Sequence, residues 1–503
     1  MSFLHLSRSP LLLALLLGAT VLHFGIGWVL GLSGDEAHYA LYAAHPALSY
    51  YDHPPLVGWV QWPLVALGAP DGLLRLVPEL LWLGTALLVH ALALRLHALV
   101  QPAAGSAQAA GLWAVLAYSL APLLHVLGIG LLPDTLLMFF TAALMLQTLR
   151  LLDGAQAQRL GNWLGLGALL GLAGLAKYTA IFAALPVAAC LLAAHGPGLL
   201  RRAGPWLALL LAVALVLPVF IWNAQHDWAS FRYQLHHGAG SHWRVGQLVG
   251  FLLAQLLLYP LLLWGAFGLR RRVLGASLRA PWGWLLAFAL LPFAVLAYLS
   301  GGGSSLPHRT APAWVALAPF VGLGLAALWA SGRRRLIWVL GAVQALFCVV
   351  LYVFLLTAGP TWLRNEGASE PVNPFTDFYG WDTAGARAQQ LAREHQVDRL
   401  AVQNWTLASR LGWYARPLPV HVIAPGQDQF SFWSGELPQG ASALLMDWSQ
   451  MAYKLPLGAG QFERCEPLDS FAVERTGRPI ARFSFYLCHG WGGQPAPRRL
   501  DEP

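Results

Sequence analysis

The sequence predicts a polytopic α-helical membrane protein that carries a small α/β domain at its C-terminal end. Of the 503 residues, 57% are hydrophobic and 11% are charged, and the mean hydropathy is +0.55. Apolar runs recur at lengths near the ~20 residues that a helix needs to cross a bilayer. After about residue 359 the composition becomes more polar, and no run is long enough to span.

About eleven apolar segments have the length of a membrane span. The first has a weakly basic flank and is followed by no small-residue cleavage site. It therefore reads as a retained span and not as a cleaved signal peptide. The predicted spans are residues 10–32, 74–96, 108–127, 131–151, 160–176, 178–196, 204–223, 245–268, 281–300, 309–330 and 336–358.

Arginines concentrate in alternate connections between these spans, as expected for connections that stay in the cytoplasm. The pattern predicts a cytoplasmic N-terminus, and an odd number of spans then puts the C-terminal domain outside. The net charge of +8 arises from these short clusters, so it indicates membrane topology and not nucleic-acid binding. The arginines are Arg150, Arg159, Arg201, Arg202, Arg270, Arg271, Arg272, Arg279, Arg333, Arg334 and Arg335.

We predict a transmembrane domain over residues 1–358, with a catalytic first outer loop at 33–73, and an α/β domain over residues 359–503. In the second domain, "WDTAGARAQQLAREH" is typical of an amphipathic helix. Four short segments bounded by Pro, Gly and Asp predict strands. They are "DRLAVQNW", "PVHVIA", "SALLMDW" and "ARFSFYLCHGW".

Four cysteines are present, and two of them lie in predicted spans. Cys465 and Cys488 lie in the C-terminal domain, where an oxidising compartment would let them pair. Two cysteines alone do not establish a disulfide, and their spacing fits no zinc or redox motif.

Two adjacent acids, Asp35 and Glu36, follow directly on the first span in "GDEAHY". One interpretation is that charge marks the exit of the helix from lipid, which span ends tolerate. The other is a site, because close carboxylates can hold a cation or act as a base. The continuation "YYDHPPL" supplies Tyr51, Asp52 and His53 before a stiff proline pair, which favours a structured loop along the membrane.

Asp134 and Lys177 occupy the predicted outer ends of later spans. Asp134, in "LLPDTLLMFF", fits either an acid at a helix start or a site residue. Lys177, in "GLAGLAKYTAIF", is one of two lysines in the chain. At that depth a lysine must either snorkel to water or bind an anionic partner, for which a lipid headgroup is a good candidate.

Two further predicted outer loops carry polar and aromatic side chains. Residues 222–243, which include His226, contain both aromatic and hydrogen-bonding side chains. This composition fits a sugar-binding loop, and it also fits a loop that only anchors the protein at the membrane interface. The histidines of this loop lack a zinc-binding spacing. The loop at 301–314 ends in His308 and Arg309, and the planar donor fork of arginine suits phosphate.

The ordered set of these motifs resembles the bacterial members of the protein mannosyltransferase-like glycosyltransferases. This family of the GT-C fold includes the aminoarabinose transferase of lipid A and related lipopolysaccharide sugar transferases. The resemblance covers most of the chain, and it departs from the family at Arg309, where relatives carry an aromatic residue. The motifs are "GDEAHY", "YYDHPPL", "LLPDTLLMFF", "GLAGLAKYTAIF" and "WNAQHDWASFRYQ".

The resemblance implies transfer of a sugar from a polyprenyl phosphate, undecaprenyl phosphate in bacteria, with inversion at the anomeric carbon. The implied acceptor lies at the outer face of the inner membrane and is lipid A, lipopolysaccharide or another envelope glycan. Asp35 matches the acid expected to serve as the base or to position the acceptor. Glu36 would support it, and Asp134 would be a second acid.

The resemblance also implies a binding role for several residues, with Lys177 on the carrier phosphate. No cofactor is required, no metal ligands are assigned, and a divalent cation is compatible with the family. The chain is expected to act as a monomer. The expected substrate-binding residues are Tyr39, Tyr51, Asp52, His53, Lys177, Tyr178, His226, His308 and Arg309.

Three other functions compete with this one. Protein is an alternative acceptor. A lipid or solute transporter would favour mid-span acids, broken helices and two related halves, and the sequence has no half-to-half similarity. A non-catalytic assembly or sensor protein would use the outer domain to bind a partner.

Overall fold

The computed structural model describes residues 9–100, 106–239, 242–277, 281–303, 306–360, 362 and 373–495. Helices dominate up to residue 357, and the later residues form an α/β arrangement. The N-terminal helices are α1 Pro10–Val29, α2 Gly34–Ala44, α3 Leu56–Trp59, α4 Trp62–Ala66, α5 Asp71–Leu74, α6 Leu76–Val100, α7 Ala107–Ser119, α8 Pro122–Ile129, α9 Pro133–Leu151, α10 Gly154–Ala157 and α11 Leu160–Ala176.

The chain continues through a second series of apolar helices, with short 3₁₀ turns between some of them. The turns include Tyr178–Ala180 and Pro307–Thr310. The helices are α12 Ile181–His195, α13 Ala203–Gln225, α14 Ala229–Ala239, α15 Val245–Leu258, α16 Pro260–Ser277, α17 Ala287–Ser300, α18 Ala311–Ala330 and α19 Arg334–Thr357.

Eight helices in the described residues are long and apolar enough to cross a membrane, and ten if each of two bent pairs is one span. The pairs α7/α8 and α15/α16 bend by 75° and 86°. A proline begins the second helix of each pair, where its missing N–H breaks the hydrogen-bond ladder. The predicted span at 160–176 forms α11, which has only 17 residues. The predicted polytopic helical architecture is confirmed, and the helix count stays at eight to ten by this criterion.

The described chain forms two compact units. The first unit comprises residues 1–25, 47–60 and 75–349. The second comprises residues 26–46, 61–74 and 350–503. Residues of the predicted first outer loop are therefore divided between the units, and the boundary at 358/359 stays a prediction.

Small residues let the helices of the first unit approach closely. A Cβ on Gly322 of α18 would collide with the backbone of Ala110 in α7, and one on Gly324 would collide with Gly265 in α16. Close backbone approach at small residues is how helices pack in lipid, where no hydrophobic effect drives them together. As a result α9 and α18 are mostly buried inside this unit, whereas α13 and α19 are mostly exposed.

A five-stranded sheet organises the second unit, with the strand order β2-β1-β3-β5-β4. Strand β1 pairs in parallel with β2 and β3, and β5 pairs antiparallel with β3 and β4. Three helices accompany the sheet, α20 Trp381–Glu394, α21 Trp405–Tyr414 and α22 Gln429–Trp433. The strands are β1 Leu400–Val402, β2 Val420–Val422, β3 Ala443–Trp448, β4 Arg464–Arg475 and β5 Arg478–His489.

The four predicted strands and the predicted helix are present, and β4 is a fifth strand that the sequence pattern did not reveal. Its sequence, "RCEPLDSFAVER", is polar and contains a proline, because it lies at the sheet edge, where one face is exposed and the other is only half-buried. A disulfide joins Cys465 of β4 to Cys488, its register partner in β5.

The larger core of the second unit combines residues from both ends of its sequence. Leu32, Ala37 and Leu41 pack in one cluster with Trp381 and Leu411. Helix α2 thus lies against α21. The acidic segment after the first span consequently shares a hydrophobic core with the C-terminal domain.

Candidate functional site

Asp35 lies in the first turn of α2, in the second unit. Ser33 caps the helix, and its hydroxyl accepts from the backbone N–H of Glu36. The free N–H groups of a helix start favour a carboxylate there. Asp35 is half-buried, and its charge interacts with the guanidinium of Arg410 in α21. The carboxylate is therefore fixed between a helix terminus and a buried cation.

Glu36 has a different environment from its neighbour. Its carboxylate accepts from the backbone N–H of Ser33 at 3.0 Å and from the Ser33 hydroxyl at 2.9 Å, which completes a capping box. The side chain is buried. Glu36 therefore holds the start of α2, and its role in supporting Asp35 stays a prediction.

Arg410 is a central residue of this acidic site, and no sequence motif indicates it. Its guanidinium forms an ion pair with Asp377 and lies over the rings of Trp381 and Trp448, at 4.2 and 4.7 Å from their centroids. Burial lowers the pKa of Arg410 to about 9, against the opposing effect of Asp35, so the group stays cationic at neutral pH. Asp377 also accepts from the N–H of Gly34 at 3.0 Å, which ties Arg410 to the start of α2.

Aromatic residues cover the next turn of α2. His38 Nδ1 lies 2.9 Å from the hydroxyl of Ser409, and its ring contacts Trp405 and Tyr39. Tyr39 is almost fully buried, and its ring also contacts Tyr42. Tyr39 thus forms part of the aromatic packing beneath the acidic site.

The first unit holds a second polar cluster, centred on Asp134 at the start of α9. Lys177, which ends α11, donates from Nζ to both carboxylate oxygens of Asp134, at 2.7 and 2.6 Å. His308 Nε2 lies 4.0 Å from the same carboxylate, and His53 also interacts with it electrostatically. Asp134 is 2% and Lys177 8% exposed, so both charges are withdrawn from solvent and must compensate each other.

Hydrogen bonds fix the segments that carry these histidines. Thr310, in the 3₁₀ turn of His308, donates to Gln255 at 2.9 Å. Ser230 donates to the carbonyl of Tyr50 at 2.8 Å, which anchors the loop that contains His53. The polar cluster is thus built from four separate connections between spans, those that carry His53, Asp134, Lys177 and His308.

Tyr51, Asp52 and Arg309 meet around Tyr233 of α14, in the same unit. The rings of Tyr51 and Tyr233 lie 4.8 Å apart. Burial, together with the charge of Asp52, raises the pKa of the Tyr233 hydroxyl to about 12, while Arg309 acts in the opposite direction. Asp52 also interacts electrostatically with Tyr178, the neighbour of Lys177. These contacts connect Tyr233 and its neighbours to the Asp134–Lys177 pair.

The predicted residues therefore fall into two groups. Tyr51, Asp52, His53, Asp134, Lys177, Tyr178, His308 and Arg309 lie in the first unit, and Asp35, Glu36 and Tyr39 lie in the second. His226 stacks on Trp222 at 4.1 Å between centroids, and its Nδ1 donates to the Trp222 carbonyl.

The structure adds Arg410, His38 and Tyr233 to the predicted set. Tyr233 lies in "WNAQHDWASFRYQ", so that motif already contained a signal for it. His38 lies in "GDEAHY", so that motif also contained a signal for it, whereas Arg410 lies in no motif that the sequence singled out. Within the described ranges, no group of three or more His, Cys, Asp and Glu side chains is arranged to hold a metal ion.

Comparison with known proteins agrees with this architecture. Residues 52–222 match a family model described as dolichyl-phosphate-mannose-protein mannosyltransferase. The chain is 28% identical over 201 residues to the lipid A galacturonosyltransferase RgtD of Rhizobium johnstonii. That alignment covers 40% of this chain and 40% of the relative, so less than half of the relative's length is matched.

The structure is similar to that of ArnT from Cupriavidus metallidurans over nearly the whole chain. The form bound to undecaprenyl phosphate gives a TM-score of 0.62 at 18% identity, covering 94% of this chain and 97% of that one. The apo form gives 0.61 at 16% identity, with the same coverage. The mycobacterial arabinofuranosyltransferase AftD gives 0.50 at 15% identity, covering 95% of this chain but 41% of the larger protein.

These findings confirm the predicted resemblance and the predicted fold. The chain has the GT-C fold of ArnT, with a small sheet-containing domain at its C-terminal end. The named relatives agree with the predicted enzyme class, a glycosyltransferase. The roles predicted for individual residues stay predictions, as does the absence of a required cofactor.

Proposed function

We propose that this chain is an integral membrane glycosyltransferase that moves a sugar from a polyprenyl phosphate to an acceptor at the outer face of a bacterial inner membrane. The donor carrier is undecaprenyl phosphate, and the acceptor is lipid A, lipopolysaccharide or another envelope glycan. The N-terminus is cytoplasmic, the C-terminal domain is periplasmic, and the protein acts as a monomer without a required cofactor.

The observation that carries this proposal is the buried Lys177–Asp134–His308 cluster in the first unit. A cation buried in a membrane protein needs an anionic partner, and such residues are functional candidates by default. An ammonium has three N–H donors, and two of its contacts go to Asp134. The third donor, with His308 alongside, suits the phosphate of a lipid carrier. The similarity to ArnT, solved with undecaprenyl phosphate bound, supports the same reading.

In this mechanism the bond between the anomeric carbon and the phosphate oxygen breaks, and its electron pair leaves with the phosphate. Lys177 and His308 stabilise the charge that develops on that leaving group. Asp134 orients the Lys177 ammonium and keeps it in place when no phosphate is bound. Arg309 and Tyr233 extend the polar surface towards the sugar.

Asp35 acts on the acceptor. A hydroxyl acceptor gives up its proton as its oxygen forms the bond to the anomeric carbon on the opposite face, so the configuration inverts. Asp35 takes that proton or orients the hydroxyl. If the acceptor is a phosphate that is already ionised, no base is needed, and Asp35 acts by binding or orienting the acceptor. The charge of Asp35 interacts with the buried guanidinium of Arg410, which holds the carboxylate in place and favours positioning.

The test uses the full chain in nanodiscs with a panel of undecaprenyl-phosphate sugars. Lipid A, lipopolysaccharide core and protein acceptors are supplied separately, and the products are read by mass spectrometry. We expect transfer to a glycolipid from one donor, and Asp35→Asn should reduce it by about 10²-fold or more, as expected for loss of a positioned acid–base group.

Asp382→Asn is the matched control, since Asp382 also lies in the first turn of a helix of the second unit but is exposed. It should transfer sugar normally. Transfer to protein instead of glycolipid would overturn the proposed acceptor. Near-normal transfer by Asp35→Asn would remove the role of that residue, and no transfer with any donor, alongside a carrier-dependent flux across the membrane, would indicate a transporter.

A further inference from the structure

We propose that Glu79, His23 and His125 are positioning residues that fix the start of α9 and thereby the Asp134–Lys177 pair. The inference deepens the proposed function and rests on it for its catalytic meaning. All the residues involved lie in the first unit.

The three side chains form a continuous hydrogen-bonded triad across α1, α6 and α8. His23 Nδ1 lies 2.5 Å from Glu79 Oε2, and His23 Nε2 lies 2.6 Å from His125 Nδ1. The other oxygen of Glu79 accepts from the hydroxyl of Thr20 at 2.5 Å. With its proton on Nδ1, His125 donates to His23 Nε2, and His23 in turn donates from Nδ1 to the Glu79 carboxylate.

The triad is deeply buried in apolar helices. Glu79 and His23 are 2% exposed and His125 is 6% exposed. Burying ionisable residues at such depth in a span costs free energy, so their presence there indicates a functional role. The packing leaves the triad little freedom, because a Cβ on Gly128 of α8 would lie 2.6 Å from His23, and the ring of Trp82 lies edge-on to His23.

Helix α8 needs such an anchor. It is the second arm of a span that bends by 75° after α7, and the bend interrupts the hydrogen-bond ladder that would otherwise hold it. His125 lies in the middle of this eight-residue arm. Through His23 and Glu79 it ties the arm to two helices that are continuous.

The arm is in turn bonded to the start of α9. The hydroxyl of Thr135 donates to the carbonyl of Leu127 in α8 at 2.9 Å and accepts from the N–H of Leu132 at 3.3 Å. Thr135 is the residue after Asp134, whose carboxylate holds Lys177. Hydrogen bonds, linked by short stretches of backbone in α8 and at the start of α9, thus connect Glu79 to Lys177, which is a physical arrangement through which one site can fix another.

Lysine chemistry offers a readout that does not depend on transfer. The chain has two lysines, Lys177 and the exposed Lys454. The purified full-length protein is treated with an amine-acylating reagent, and modification at each lysine is followed by mass spectrometry. Lys177 should react slowly in the unmodified protein because it is buried and paired with Asp134.

Glu79→Gln and His125→Leu should each speed the modification of Lys177 by about tenfold, because the reagent reaches Lys177 only when the pair opens locally, and a tenfold larger open population gives a tenfold faster reaction. The modification rate of Lys454 should not change. His125→Gln keeps an amide N–H that can donate to His23 Nε2, and it should restore protection. His90→Leu is the matched control, since His90 is equally buried in α6 and neither of its ring nitrogens has a hydrogen-bond partner in the described structure. It should leave Lys177 protected.

A double-mutant cycle tests the route. Thr135→Val removes the bond to α8 with little change of shape, so it should expose Lys177 by itself. If the triad acts through that bond, adding His125→Leu to Thr135→Val should have little further effect, whereas independent sites would add. Full additivity, or unchanged protection in Glu79→Gln and His125→Leu, would overturn the inference.

Transfer kinetics separate this inference from the proposed function. If the chain transfers sugar, the triad variants should raise the apparent KM for the lipid donor more than they lower kcat, and His125→Gln should recover it. If the chain transfers no sugar from any donor, the proposed function fails, yet the labelling experiment still decides whether the triad fixes the Asp134–Lys177 pair.

Discussion

The Lys177 ammonium lies 2.7 and 2.6 Å from the two oxygens of the Asp134 carboxylate, although 43 positions separate the residues in the chain. The sequence motifs predict separate roles for them, Asp134 as a second acid and Lys177 as a phosphate ligand. Their contact means that neither can be changed without altering the other's charge balance. The pair is best regarded as one neutral unit, to which a phosphate adds a net negative charge.

Lys177→Met should destabilise the protein, because it leaves the Asp134 carboxylate buried without its cation. Loss of one partner of a buried pair costs about 3–5 kcal/mol. Asp134→Asn added to Lys177→Met should restore much of that stability, since no buried charge then remains, but donor binding should stay weak. Thermal unfolding and the apparent KM for the lipid donor measure the two effects. The control Lys454→Met changes an exposed lysine and should alter neither the unfolding temperature nor the donor KM. Recovery of donor binding in the double variant would contradict the role of Lys177 in binding the phosphate.

Arg410→Lys should lower both stability and transfer even though it keeps the charge. The guanidinium stacks on Trp381 and Trp448 and pairs with Asp377, and a lysine ammonium lacks the planar shape for this arrangement. Loss of the two ring contacts should cost about 1–3 kcal/mol. Thermal unfolding measures the loss, and transfer should fall with an unchanged donor KM because Asp35 is displaced.

Arg399→Lys is the control for that change. Arg399 pairs with Asp398 at an exposed position of the same unit, so its replacement should leave stability and transfer as they are. Equal effects of the two substitutions would show that Arg410 has no special relation to the acidic site.

Asp447→Asn should stabilise the second unit at neutral pH. Burial raises the pKa of Asp447 to about 6, against the hydrogen bonds from the N–H groups of Tyr453 and Trp448. The unfolded value is about 3.9, so the folded state prefers the protonated acid, and ionisation costs stability as pH rises from about 4 to 6. The Asn variant avoids this cost, so the gain should approach about 3 kcal/mol well above pH 6, at about 1.4 kcal/mol per pKa unit, and vanish below pH 4.

Thermal unfolding at pH 4 and pH 7.5 tests the sign of that difference. Asp398→Asn serves as the control, because the hydrogen bond from Arg399 lowers the pKa of that exposed carboxylate. It should not stabilise the protein at either pH. A gain in Asp447→Asn that is equal at both pH values would exclude ionisation as its cause.

The length of the apolar runs was enough to predict the spans, since each predicted segment coincides with an apolar helix or a bent pair of helices. It could not reveal which spans bend, because Pro186, Pro218 and Pro319 lie inside helices that continue, whereas Pro122 and Pro260 begin new ones. The difference depends on neighbouring helices that satisfy the freed backbone groups.

For the site, short-range motifs identified Asp134, Lys177, His53 and His308, whose convergence the structure then revealed. Arg410 escaped notice because an arginine in an amphipathic helix normally points to solvent, and only the tertiary position of two tryptophans shows that it does not. The Glu79–His23–His125 triad escaped for a related reason. Its members are far apart in sequence and each alone resembles an isolated polar residue in a span.

The shared core of helix α2 and the C-terminal α/β domain bears on how this protein can be recombined. Leu32, Ala37 and Leu41 pack with Trp381 and Leu411, and Gly34 bonds to Asp377. A chimera that exchanges only the residues after 350 with those of a relative would join two mismatched halves of one core. A chimera designed to change acceptor preference should therefore exchange residues 26–46 and 61–74 together with the C-terminal domain.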